Sequence, residues 1–216
     1  MPDFLEYIEV PFTADEGRVY PEEAEDRYPE SLVRAFVNEF TKPGDKVFDP
    51  FLGFGTTAFV AEDMGRIPYG IEADGERYEW AAAQLEHWMN ILHADSVDIG
   101  SFKLPRMDFC MTSPPYMPAH HKWNPLYGGD PAYAGYDTYL ARMAEIFAGL
   151  SSIMKRGARV VVQCDNLHHG KVFTPLVRDI GTAVSQNFRQ EGEVMVRWLK
   201  GRADYPYTHC LVFKKT

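Results

Sequence analysis

Met107-Asp108-Phe109-Cys110-Met111-Thr112-Ser113-Pro114-Pro115-Tyr116 joins an apolar run to a rigid polar turn. Met107 to Thr112 reads as a central strand, with Met107 to Cys110 as its apolar start. Pro114 and Pro115 each fix their own φ and offer no backbone N–H, so the strand ends at them. Carbonyls in such a turn cannot join the sheet ladder and face the crevice beyond the strand ends. In open α/β sheets that crevice is where ligands bind. The Ser113 hydroxyl, the Pro114 carbonyl and the Tyr116 ring suit one demanding role, in which two oxygens hold an exocyclic amino group while an aromatic covers the base. Taken alone, the tetrapeptide also fits a proline-rich connection that merely ends a strand.

Working outward, strands and helices alternate. Pro29 to Phe40 is predicted helical, with Leu32, Val33, Phe36, Val37 and Phe40 at helical spacing, and Lys42-Pro43-Gly44-Asp45 stops it. Lys46 to Phe51 reads as a strand, Thr56 to Met64 as a helix, Ile67 to Ala73 as a second strand and Gly75 to Leu92 as a long helix. After the Pro-Pro turn comes a Tyr-, Gly-, Pro- and His-rich loop from Met117 to Tyr136. A helix from Thr138 to Met154, a strand from Arg159 to Cys164 and a helix from Val172 to Phe188 follow, Pro175 lying in that helix's first turn. Glu193 to Leu199 and His209 to Lys214 alternate as strands. Lys200 to Thr208 leaves no room for a crossover helix, so these two form an antiparallel pair. The expected fold is α/β: a doubly wound, mostly parallel, Rossmann-like sheet with an antiparallel terminal strand pair. One domain spans 1–216, with an acidic lead over 1–27.

Asp49-Pro50-Phe51-Leu52-Gly53-Phe54-Gly55-Thr56-Thr57 stands between the first strand and its helix. Its glycines let the backbone approach a ligand and turn into a helix N-terminus. A P-loop is excluded, because Thr56 stands where its lysine is needed. A dinucleotide fingerprint needs a third small residue at position 58, and Ala58 keeps that reading open.

The Asp49–Thr57 loop resembles the DPFxGxGTT loop, and Ser113-Pro114-Pro115-Tyr116 the Ser/Asp-Pro-Pro-Tyr turn, of the S-adenosylmethionine-dependent amino-methyltransferases of nucleic acids. The resemblance runs from Tyr28-Pro29, which fits the His/Tyr-Pro ahead of the loop in many relatives, to the closing strands, and implies the class I methyltransferase fold. It implies that Tyr28, Asp49, Pro50, Phe51, Gly53 and Gly55 belong to the cofactor site. Asp49 would accept from the methionine ammonium, and Thr56 and Thr57 at the helix N-terminus would favour its carboxylate. Glu72 would take both ribose hydroxyls, and Asp95-Ser96 would meet the adenine amino group, although Asp-Ser is also a helix-capping pair. Phe54 departs from the small residue usual between the glycines. No separate target-recognition domain is expected within these 216 residues, which leaves 117–136 as the candidate recognition loop.

Serine at the first position of the turn inclines the resemblance toward cytosine N4 over adenine N6. Cytosine C5 chemistry needs a cysteine at the turn, and Cys110 lies three residues too early. No metal is required, and His120-His121 and His168-His169 read as exposed loop histidines. The net charge of −9 sits awkwardly with nucleic acid, yet acids crowd residues 1–30 and the chain from Lys155 onward is basic on balance. Cys110, Cys164 and Cys210 read as buried thiols of a reducing compartment. With no apolar run of membrane-spanning length and no basic leader, the expectation is a cytoplasmic protein whose partner is nucleic acid, DNA or a structured RNA. A catalytically silent binding module on the same fold is the reading from a different class.

Overall fold

The computed structural model describes residues 6–12, 18–24, 27–199 and 206–216. Met107–Thr112 forms β5, in which every side chain except Asp108 is buried. A strand covered on both faces needs a helical layer on each side. Phe109 and Met111 point to one layer, with Leu32, Val33, Phe36 and Val37 of α1 (Glu30–Phe40) and Val60 and Ala61 of α2 (Thr56–Asp63). Cys110 points to the other, with Tyr139, Met143, Phe147 and Leu150 of α4 (Tyr136–Ile153) and Leu176, Ile180 and Val184 of α5 (Leu176–Ser185). The buried positions of α4 recur every three or four residues, the spacing that makes one apolar helix face.

The remaining strands are β1 (Tyr7–Val10), β2 (Lys46–Asp49), β3 (Ile67–Glu72), β4 (Ile91–His93), β6 (Met154–Cys164), β7 (Leu167–His169), β8 (Val172–Thr174), β9 (Arg189–Trp198) and β10 (Tyr207–Lys214); α3 covers Gly75–Ala82. Eight strands form one sheet in the order β1-β9-β10-β6-β5-β2-β3-β4, and β7 and β8 form a separate hairpin. β9 and β10 are antiparallel as expected. β10 also runs against β6 on its other side, so it alone is reversed in the large sheet. The chain winds outward from β2 through β3 to β4, then crosses back to β5 on the other side of β2. That reversal puts the switch point, and the crevice it opens, at the C-terminal ends of β2 and β5.

Several expected elements have different bounds. The helix expected over Gly75 to Leu92 stops at Ala82; a turn, a 3₁₀ segment at Trp88–Asn90 and β4 occupy the rest. Trp88 is half exposed, whereas Trp80 packs on Tyr20, Phe54 and Phe59, so the apolar residues there serve two short elements instead of one helical face. The helix expected from Val172 begins only at Leu176, because Val172–Thr174 pairs with Leu167–His169. β1 and β4 are strands the periodicity did not show, each being four residues or fewer. β6 begins at Met154, directly after α4, and β9 at Arg189. Parts of the acidic lead and most of the Lys200–Thr208 connection lie outside the described residues. All three cysteines are buried and free. Among the described residues no helix is long and apolar enough to cross a membrane.

Candidate active site

β2 ends at Asp49, and the chain turns through Gly53 and Gly55 into α2. Both glycines have positive φ, 54° and 81°. A Cβ on Gly55 would also lie 3.1–3.2 Å from Phe59 and Ala81, so that position tolerates only glycine comfortably. Gly55 is the N-cap of α2 and provides no side-chain cap. The helix therefore presents its positive end to the crevice without a competing protein oxygen from that residue. Phe54 turns away and packs edge-on against Trp80 at 5.5 Å, with Arg77 over its ring, so the departure from a small residue is absorbed by α3.

Asp49 is 1% exposed and is the node of the site. Its Oδ1 accepts from the Phe51 backbone N–H at 3.0 Å and from the Thr112 hydroxyl at 2.6 Å, and its Oδ2 accepts from the Tyr28 hydroxyl at 3.1 Å. Tyr28 also hydrogen-bonds Thr57. With Thr57 also bonded to this carboxylate, its acceptor sites are largely filled from within the protein. Burial pushes the Asp49 carboxyl up to about 6, with the hydrogen bonds from Thr112, Phe51, Thr57 and Tyr28 acting in the opposite direction. Tyr28 thus reaches the site through Asp49.

Glu72 ends β3 beside this loop. Its two oxygens accept from the Gly53 backbone N–H at 2.6 Å and from the Asp74 backbone N–H at 2.9 Å. It therefore clamps the glycine loop from the C-terminal end of β3. Asp95 behaves as a cap, with Oδ1 accepting from Val97 N–H at 2.9 Å, while Oδ2 pairs with Arg142 at 2.8 Å. Ser96 donates to the Pro50 carbonyl and so ties this segment back to the glycine loop.

The Ser113–Tyr116 turn follows β5 on the other side of the switch point. Pro114 is buried; Ser113, Pro115 and Tyr116 are half-buried. The Pro115 carbonyl accepts from Tyr139 at 2.9 Å, which fixes the turn on α4. Burial, followed by nearby Asp165 and Cys164, pushes the Tyr116 phenol well above its ordinary value, against side-chain hydrogen bonds with Ser113 and Gln163. The Tyr116 phenol is therefore held in its neutral form. Behind it, Gln163 donates to Thr208 Oγ1 at 2.6 Å and to Asp165 at 3.2 Å, and Thr208 donates to Asp165 at 2.9 Å.

All the expected site residues thus gather at one end of the sheet, on the two sides of the switch point. Thr112, Gln163, Asp165, Thr208 and Arg142 join them and were not singled out from the sequence. Only the neighbouring positions of Thr112 and Ser113 gave a sign of any of these, since the other four depend on how distant strands and α4 align. In the 117–136 loop, Tyr127 and Tyr133 stack at 4.2 Å and Arg142 lies over Tyr127.

Residues 14–84, a segment that holds the glycine loop but stops short of the Pro-Pro turn, match the DNA methylase family model N6_N4_Mtase. The chain is 40% identical over 62 residues to the Type II methyltransferase M.BglII of Bacillus subtilis, covering 29% of this chain and 16% of that protein. It is 43% identical over 58 residues to the Type II methyltransferase M2.DpnII of Streptococcus pneumoniae, covering 27% and 22%. The matched stretches thus span about a fifth of these relatives' length. Among solved structures, TrmN from Thermus thermophilus superposes with a TM-score of 0.63 at 20% identity, covering 87% of this chain and 49% of that one. A methyltransferase from Pyrococcus furiosus superposes with a TM-score of 0.56 at 16% identity, covering 86% and 82%. The fold is that of the class I S-adenosylmethionine-dependent methyltransferases, and the matches over the glycine-loop segment support an amino-methyltransferase family.

Proposed function

We propose that this chain transfers a methyl group from S-adenosylmethionine to the exocyclic N4 amino group of cytosine in DNA. One observation carries the reading: the Thr112 hydroxyl bonds Asp49 at 2.6 Å, which sets the acceptors of the Ser113–Tyr116 turn directly beside the glycine loop. The family match and the relatives support S-adenosylmethionine as cofactor and nucleic acid as partner.

The donor set fits that cofactor. The negative charge of Asp49 suits an ammonium, the uncapped start of α2 suits a carboxylate and Glu72 suits two vicinal hydroxyls. When bound, S-adenosylmethionine supplies an electrophilic methyl group on its sulfonium. The protein's part is placement. Ser113 Oγ and the Pro114 carbonyl accept hydrogen bonds from the amino group, which draws the nitrogen toward sp³ and frees a lone pair otherwise delocalised into the ring; the one amino proton displaced by methylation is released to solvent. Held by the sheet, by α4 and by the proline rings, these acceptors need no reorganisation during reaction. Tyr116 covers the base.

The neutral Ser113 hydroxyl is the feature that favours cytosine N4. The test is incubation of the purified protein with methyl-labelled cofactor and genomic DNA or unmodified ribosomal RNA, then mass spectrometry of the nucleosides. N4-methyldeoxycytidine is the expected product. N6-methyladenine would overturn the base assignment, labelled RNA alone would overturn the polymer assignment, and no label in either would point to the silent scaffold.

A further inference from the structure

Two segments leave neighbouring strands at the crevice end of the sheet and lie against each other. One runs on from the Pro-Pro turn after β5; the other is the β7–β8 hairpin, which follows β6. Since β5 and β6 are parallel neighbours, both emerge at the same edge. The Ala119 backbone N–H donates to Thr174 Oγ1 at 2.9 Å, and the His120 and His121 rings lie 5.0 and 6.2 Å from that of His169. The hairpin register sets His168 opposite Phe173, with ring centroids 4.9 Å apart.

The chemistry of this edge differs from that of the whole molecule. The chain has 31 acidic residues and a net charge of −9, yet none lies between Met117 and Gly129 or between Asn166 and Arg178. The carboxylates that border these stretches are engaged: Asp165 by Gln163, Thr208 and the His209 backbone N–H, Asp130 by the Ala132 backbone N–H and Asp179 by Arg178. Lys122 and Lys171 are exposed. Trp123 and Phe173 are 59% and 51% exposed, and the Trp123 indole rests against Gly129, where any side chain would collide with it. Cations alternating with ordered, exposed rings suit phosphates and unstacked bases better than they suit a protein partner, which would need a continuous aliphatic surface.

We propose that the segment after the Pro-Pro turn and the β7–β8 hairpin together form the DNA-gripping surface, with Lys122 and Lys171 on phosphates flanking the target nucleotide and Trp123 and Phe173 stacking beside it. This rests on the methyl-transfer reading above and adds a second contact element to the 117–136 loop. It also explains how a chain of negative net charge holds a polyanion: the contact is confined to one edge poor in carboxylates.

The test is binding of a fluorescein-labelled DNA strand and its duplex, followed by anisotropy across a salt series. Lys122→Glu and Lys171→Glu are compared with Lys103→Glu, an equal charge change on an exposed residue just before β5, at the opposite end of the sheet. Each of the first two should weaken binding about 3- to 10-fold at 0.1 M salt and lower the salt slope by about one, and the third should do neither. Phe173→Ala should weaken binding with the slope unchanged. S-adenosylmethionine titrations should match wild type in all four variants. Equal losses for the three lysine variants, or none, would overturn the surface; wild-type protein that binds RNA but not DNA would overturn its assignment to DNA. If the Lys122 and Lys171 variants bind DNA normally while wild type still methylates it, the surface inference fails and the enzymatic reading stands. If wild type binds DNA at this edge but methylates nothing, the enzymatic reading fails alone.

Discussion

Thr112 donates its hydroxyl to Asp49 at 2.6 Å, joining the end of β5 to the end of β2 across 63 residues of sequence. It makes the glycine loop and the Pro-Pro turn one rigid unit. Removing it leaves a buried carboxylate short of a donor, a loss of roughly 1–3 kcal/mol. Thr112→Val, which keeps the shape, should therefore weaken S-adenosylmethionine binding in calorimetry and also lower the single-turnover rate. A loss in only one of the two would mean that the loop and the turn act separately.

Asp49 should give the protein a distinctive pH dependence. Burial lifts its carboxyl to about 6 from the usual 3.8, so the folded state binds this proton more tightly than the unfolded chain does. The resulting stabilisation is complete below pH 4 and disappears as the pH rises through about 6, a change of roughly 2–3 kcal/mol. Chemical denaturation across pH 4–7 should show wild type losing stability relative to Asp49→Asn, which cannot ionise, as the pH rises. A cofactor ammonium beside Asp49 favours the charged carboxylate, so cofactor affinity should climb through the same window. A flat affinity profile would confine Asp49 to holding the loop.

Glu72 holds the loop through Gly53 from the C-terminal end of β3. Glu72→Ala should weaken cofactor binding by roughly 1.5–3 kcal/mol, the worth of hydrogen bonds to a charged group. Asp49→Ala should abolish measurable binding, because it also strands Tyr28 and Thr112. Wild-type titrations from both variants would move the cofactor elsewhere.

Ser113 separates chemistry from folding. Ser113→Ala should keep cofactor affinity and thermal stability and lose roughly 10²-fold or more in turnover, as expected for one pre-organised polar group. Early melting with unchanged specific activity would make the turn purely structural. Tyr116→Ala should reduce product yield through lost base stacking, worth roughly 1–3 kcal/mol.

Gly55 tests the loop's backbone. Gly55→Ala forces a side chain into a positive-φ position against Phe59 and Ala81, and should cost roughly 1 kcal/mol or more of stability in denaturant melts. An unchanged midpoint would show that the loop relaxes without loss.

The sequence by itself determined the class of the fold and both halves of the candidate site. Apolar runs of strand length alternating with helical spacing make a parallel sheet, and glycines or prolines at two strand ends mark where its backbone must turn toward a ligand. Such signals are local, set by φ restrictions and by side chains a few residues apart. What only the tertiary structure decided depends on contacts between distant segments. Gly75 to Leu92 reads as one helix, but the helix ends at Ala82 and Ile91–His93 pairs instead with Gly70–Glu72. Val172–Thr174 left its helix for the same reason, drawn into a hairpin with Leu167–His169. The partners of Asp49 needed the alignment of β2 with β5 before Thr112 could be seen to reach it. Strand register is set by the whole sheet and the layers packed on it, and that information is absent from any single stretch of the chain.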